Sequence, residues 1–172
     1  MNLALAEAKE ALKNGEFPVG CILVAGDKVV ASGSRHSSRV SRASSFSGAD
    51  ELDHAEIIAV RRLLEEQPTV DRTSVTVYST LEPCLMCYST LLINNFHSIV
   101  YAYEDALGGG TALKLAGLTP LYREMQITII PHVLREESLR LFKAFFADPA
   151  NTYLQDTYLA EYTLAQEDGT SR

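Results

Sequence analysis

Val75-Thr76-Val77-Tyr78-Ser79-Thr80-Leu81-Glu82-Pro83-Cys84-Leu85-Met86-Cys87 changes periodicity halfway along, and that change decides the fold. Residues 75–80 alternate β-branched and polar side chains, the pattern of a strand. Pro83 stands where a helix can begin, because its fixed φ suits a first-turn position, and the helical pattern then runs to Asn94-Asn95. Upstream, residues 3–13 carry Leu, Ala, Lys and Glu at helical spacing and stop at Asn14-Gly15. The apolar runs 21–24 and 29–31 flank Ala25-Gly26-Asp27-Lys28 and predict a β-hairpin. Residues 32–53 are rich in Ser, Arg and Gly without periodicity, which predicts a long loop. Residues 54–66 place Ile57, Ile58, Val60, Leu63 and Leu64 on one helical face, closed by Gln67-Pro68. Downstream, 98–103 and 125–130 predict strands, Gly108-Gly109-Gly110 a flexible loop, and 134–147 a helix. A hairpin followed by alternating helices and strands predicts an α/β fold: a mixed sheet flanked by helices.

The chain has 172 residues, 47% hydrophobic and 22% charged, enough for one sizeable core. One domain is expected over residues 1–147, with 148–172 as a C-terminal extension packed on it. No run approaches the roughly 20 apolar residues of a membrane span, so no membrane partner is expected. Three cysteines, two of them in a Cys-x-x-Cys pair, do not form the even framework of a disulfide-stapled domain. A reducing, cytoplasmic setting is expected. Twenty-two acidic against 15 basic residues give a net charge of -7, the wrong sign for a generic polyanion binder.

The chemistry lies where two helices begin. His54-Ala55-Glu56 opens one, Pro83-Cys84-Leu85-Met86-Cys87 the other. Cysteines at i and i+3 in a first turn share a face, and the positive end of the helix dipole favours the thiolate that binds metal. One histidine and two thiolates make three ligands for Zn2+ and leave a fourth tetrahedral position open, as a catalytic site requires. Glu56, two residues from His54, is the expected proton shuttle. Each feature has a plainer reading: a structural zinc half-site or redox pair for the cysteines, a satisfied core histidine, a solvated carboxylate. The combination His-x-Glu followed by Pro-Cys-x-x-Cys, which is the signature of zinc deaminases, outweighs them. Cys21, in an apolar strand, reads as core.

On these motifs, together with Phe17-Pro18-Val19-Gly20-Cys21 and Thr80-Leu81-Glu82-Pro83-Cys84, the chain resembles the cytidine deaminase superfamily, in the branch of the tRNA adenosine deaminases and guanine deaminases. The resemblance runs from the first helix through Phe142–Phe146. It implies a three-layer α/β/α fold with a five-stranded mixed sheet, a homo-oligomer, expected as a homodimer, and the ligand and shuttle roles of His54, Cys84, Cys87 and Glu56.

Departures bear on the substrate. Related purine deaminases hold the base with an Asn shortly after the second strand, and Gly33-Ser34-Arg35-His36 has none. The loop 37–53 is longer than in tRNA adenosine deaminases and Ser-rich, and it leads directly into His54. Those enzymes often end in a basic helix, whereas here the tail carries Asp156, Glu161, Glu167 and Asp168, with Arg172 its only basic residue. Glu104 and Asp105 fall where relatives place a carboxylate that contacts the base, and with Arg35 they are the candidate substrate contacts. Tyr153, Tyr158 and Tyr162 are expected to pack against the sheet. The expected activity is hydrolytic deamination of a small nucleobase or nucleoside. The alternatives are tRNA wobble-adenosine deamination, for which Arg35, Arg39 and Arg42 would line a local groove, and a non-catalytic zinc protein.

Overall fold

The computed structural model describes residues 1–36 and 51–167. Its strands are β1 (Gly20–Ala25), β2 (Lys28–Ser34), β3 (Val75–Leu81), β4 (Ser98–Tyr103) and β5 (Thr128–Ile130), and its helices α1 (Asn2–Lys13), α2 (Ala55–Glu66), α3 (Leu85–Ile93), α4 (Pro120–Arg123), α5 (Arg135–Ala147) and α6 (Tyr158–Ala165). The sheet order is β2-β1-β3-β4-β5. β1 runs antiparallel to β2 and β3, while β3, β4 and β5 are parallel. This is the expected five-stranded mixed sheet.

Two glycines set the outer layers. A Cβ on Gly20 would fall 2.2 Å from the carbonyl oxygen of Ala4 in α1, and one on Gly33 would fall 2.1 Å from that of Ala55 in α2. Gly33 pairs with Cys21, the neighbour of Gly20, so the two close approaches lie on opposite faces of the sheet. α1 and α5 therefore cover one face and α2 and α3 the other. Between them, Leu23, Leu63, Val77, Leu91, Ile99 and Phe142 are buried, with Cys21 in the same core as expected.

The structure corrects the sequence reading at several places. β2 runs on to Ser34, where a loop was expected from Ser32, because Ser32, Gly33 and Ser34 pair with Ile22, Cys21 and Gly20. β5 contains only Thr128–Ile130, and its pairing with β4 begins at Thr128 opposite Ser98. Pro83 precedes α3 instead of opening it. α4 and α6 were not foreseen. Among the described residues, no helix is long and apolar enough to cross a membrane. Residues 37–50 of the long loop, with Arg39 and Arg42, and Asp168 and Arg172 of the tail lie outside the described residues.

Candidate active site

The parallel strands β3 and β4 end on the same edge of the sheet, and the crevice outside the carboxyl ends of such strands is where side chains from successive loops converge. His54 is the N-cap of α2 and Cys84 the N-cap of α3, with Cys87 in the first turn behind it. The cysteines thus straddle the start of the helix, and both helix N-termini point at one place. His54 Nδ1 lies 3.5 Å from Cys84 Sγ and 3.4 Å from Cys87 Sγ. The three ligand atoms all lie within 4.8 Å of one another. A tetrahedral zinc with Zn–N and Zn–S bonds of ordinary length separates its N and S ligands by about 3.5 Å, so the residues fit the metal. The hydrogen bond from Cys87 holds the Cys84 thiol down to about 4, against burial and with help from His54, while the same bond pushes Cys87 up. Metal binds the thiolate form, so a dication held by both would displace any proton remaining on the pair.

Glu56, in the first turn of α2, is 3% exposed. Ser79 Oγ in β3 donates to its Oε1 at 3.0 Å, and Cys87 Sγ lies 3.5 Å from its Oε2. Burial raises its affinity for a proton.

Glu82 went unnoticed as a site residue. Its carboxylate accepts from the backbone N–H of Asp105 at 3.3 Å and of Thr111 at 3.2 Å, and from the Thr111 hydroxyl, tying the exit of β4 to the exit of β3. The glycine triplet, expected to be flexible, is packed into this junction: Gly110 N–H donates to Pro83 O at 2.9 Å, and a Cβ on Gly110 would fall 2.7 Å from the backbone of Leu85. Large side chains are excluded there because the loop lies flush on the helix start that carries Cys84.

These groups open into a cavity lined by Phe17, Val19, Leu81 and Leu159, with Arg35, His54, Glu56 and Asp105 among its polar residues. Asp105 accepts from the backbone N–H groups of Leu107 and Gly108 at 3.0 and 2.9 Å, and burial pushes its carboxyl up against those bonds. Arg35 is 3% exposed. Glu104 is not in the lining: Arg135 and the Tyr162 hydroxyl occupy its carboxylate on the α5–α6 side. Of the three expected substrate contacts, the structure brings Asp105 and Arg35 to the cavity and turns Glu104 away. Tyr153 contributes to the wall as well as packing on Phe17 at a centroid distance of 5.3 Å, while Tyr162 packs beside Tyr103 and Tyr158 is 57% exposed.

Residues 1–103 match the family described as the cytidine and deoxycytidylate deaminase zinc-binding region. The chain is 30% identical over 148 residues to the tRNA-specific adenosine deaminase of Buchnera aphidicola subsp. Schizaphis graminum, covering 85% of this chain and 91% of the relative. It is 28% identical over 148 residues to the tRNA-specific adenosine deaminase of Bacillus subtilis, covering 86% and 87%. Its fold is similar to that of a guanine deaminase from Nitrosomonas europaea, at a TM-score of 0.67 and 18% identity over 86% of this chain and 82% of that one. A structure from work on tRNA:A34 deaminases and A-to-I editing at the wobble position is similar at a TM-score of 0.61 and 26% identity, covering 76% and 95%.

Proposed function

We propose that this chain, which belongs to the cytidine and deoxycytidylate deaminase zinc-binding family, is a hydrolytic deaminase of a small nucleobase or nucleoside. The reaction replaces a ring C–NH2 by C=O, consuming water and releasing ammonia. His54, Cys84 and Cys87 would hold zinc, which when bound would supply a Lewis acid able to bring the pKa of water to about 7.

The remaining work falls to the chain. Glu56, held by Ser79 beside Cys87, takes one proton of the water and passes it to the ring nitrogen next to the attacked carbon. It then moves the second, from the hydroxyl added to that carbon, to the amine, which departs as ammonia while the C=O forms. Ser79 donates to Oε1 and the Cys87 thiol to Oε2, and Cys87 as a thiolate ligand no longer donates, which would leave Oε2 for that transfer. Phe17, Val19, Leu81 and Leu159 supply apolar walls for a planar ring and exclude bulk water. Glu82 and the Gly109-Gly110 backbone position Cys84.

The observation that carries the small-substrate reading is the charge of this cavity. Among the described residues Glu56, Glu82 and Asp105 line it, and the one guanidinium in that lining, Arg35, is buried and not displayed at the rim. Polynucleotide binding draws on exposed Lys and Arg that neutralise phosphates. The tail from Asn151 to Ala165 supplies Tyr153, Leu154 and Leu159 to the wall and carries Asp156 and Glu161 but no Lys or Arg. The second reading, tRNA adenosine deamination, is favoured by the 30% identity to a relative of that name. Ammonia release by the zinc-loaded protein from guanine, adenine, cytosine, their nucleosides and pterins tests the proposal. Turnover of at least one is expected; release from none would contradict it.

A further inference from the structure

The buried cation of the cavity is the group that the chemistry above leaves unused. Arg35 follows β2 directly, and its backbone N–H donates to Val19 O at 3.1 Å, which fixes where the side chain starts. Its Nη2 reaches Glu51 Oε2 at 3.4 Å and the Tyr153 hydroxyl at 3.5 Å, both at the long end of hydrogen bonding. The guanidinium carbon lies 5.4 Å from the centroid of the Tyr153 ring, a cation–π distance. Its nominal counterion is weak: Glu51 is 61% exposed, and the same carboxylate oxygen accepts from the Tyr153 hydroxyl at 2.9 Å and lies 3.7 Å from His54 Nε2. Arg35 Nε and Nη1 are buried with no hydrogen-bond partner among the described residues.

The other acids of the cavity are committed elsewhere. Glu56 is held by Ser79, Glu82 by Asp105 and Thr111, and Asp105 by Leu107 and Gly108. A buried charge is costly unless paired, and a guanidinium does not escape that cost by losing its proton. Tyr153 therefore holds Arg35 in place without satisfying it, and since no other described residue does, an occupant of the cavity that Arg35 lines is the acceptor to consider.

We infer that Arg35 determines substrate specificity by donating to a carbonyl or carboxylate oxygen on the ring that loses its amino group. The inference rests on reading the cavity as a deaminase substrate site and narrows that reading to oxygen-bearing amino-heterocycles. A guanidinium only donates; an oxygen of this kind offers two lone pairs, whereas each ring nitrogen of an adenine-type base offers one. Removing an acceptor from a site built to pair with it leaves the buried donors exposed to the full cost of desolvation, which is why such sites discriminate strongly.

Calorimetric binding to the zinc-loaded protein tests this without relying on turnover. Xanthine and uracil carry carbonyl oxygens on the ring and no amino group to lose; unsubstituted purine carries neither. The wild type is expected to bind at least one of the two oxygen-bearing rings about 10–100-fold more tightly than purine, the range of a hydrogen bond to a charged group. Arg35→Gln should remove that preference while purine affinity shifts far less, and Arg35→Lys should restore part of it. With an oxygen-bearing amino substrate, Arg35→Gln should raise KM by more than it lowers kcat. Equal wild-type affinity for all three rings, no binding of either oxygen-bearing ring, or a uniform loss in Arg35→Gln with zinc retained would each overturn the inference. If Arg35→Gln fails to fold, the wild-type preference and Arg35→Lys decide alone. Ammonia released best from adenine overturns the inference and leaves the deaminase reading standing. Ammonia released from nothing overturns that reading, while the binding preference still tests Arg35.

Discussion

The two walls of the cavity are built differently. The metal wall comes from the N-termini of α2 and α3, where His54, Glu56, Cys84 and Cys87 are locked by short connections to Ser79, Glu82 and the Gly109-Gly110 backbone. The opposite wall joins Arg35, just after β2, to Tyr153, 118 residues away, and to Leu159 in α6. The first wall holds groups that every hydrolytic deamination of this kind needs. Under the proposed reading, the second holds those that would meet the part of the substrate that differs from one base to another. Chemistry and specificity are thus separable in this fold, and substitutions should separate them experimentally.

The largest effect is expected at the metal wall. Cys87→Ala removes one of the three candidate ligands, and both activity and the zinc expected of the wild type, about one per chain, should be lost. Metal analysis that finds full occupancy in this variant would break the assignment. Glu56→Ala should keep its zinc and its fold while turnover drops by roughly 10²–10⁴-fold, the usual contribution of positioned proton transfer. Loss of zinc along with activity would make Glu56 a ligand. Gly110→Ala should act through Cys84: the added methyl meets the Leu85 backbone, at a cost of about 1–3 kcal/mol in thermal stability together with weaker zinc binding. A variant as stable and as tightly metallated as the wild type would show that the loop yields there.

How much of this was legible follows the same division. His54 and Glu56 lie two residues apart and Cys84 and Cys87 three, so each half of the candidate site shows as a short motif, and the two motifs together expose it. α2 and β3 are equally legible, since their apolar residues keep a 3.6 or a 2 period. α6 carries Leu159, Ala160, Tyr162 and Leu164 around most of its circumference, and with no single stripe it does not declare itself a helix. The contact between Arg35 and Tyr153 leaves no periodic trace at all. Glu104 and Asp105 are adjacent acids at the end of β4, and residues one apart leave a strand in opposite directions; only the packing of α5 decides that Asp105 turns to the cavity. The glycine triplet misled because a missing side chain reads as freedom, whereas here it serves close packing.

The smallest effect is expected behind the second wall. Glu104 anchors α5 and α6 through Arg135 and Tyr162, and Arg135 also donates to Gln166 at 2.9 Å, just beyond α6. Burial works against its charge, but the Arg135 and Tyr162 bonds prevail and hold its carboxyl below the ordinary 4.5. A folded-state value below the unfolded one contributes stability that is complete well above pH 4.5 and is lost as pH falls through the depressed value. Glu104→Gln should therefore cost about 1 kcal/mol at neutral pH, with no change in zinc content. Its deficit against the wild type should shrink as the medium is acidified below that point. A deficit that stays constant with pH would mean that the Glu104 charge contributes nothing to holding the wall.

Whether this family fold here serves a small substrate is decided by kcat/KM measured side by side for a tRNA anticodon hairpin and for the best free base or nucleoside, at low and at high salt. The account predicts that the small substrate is the better one and that its turnover depends only weakly on ionic strength, because no phosphate contact contributes to it. Efficient inosine formation in the hairpin that collapses as salt rises would contradict it.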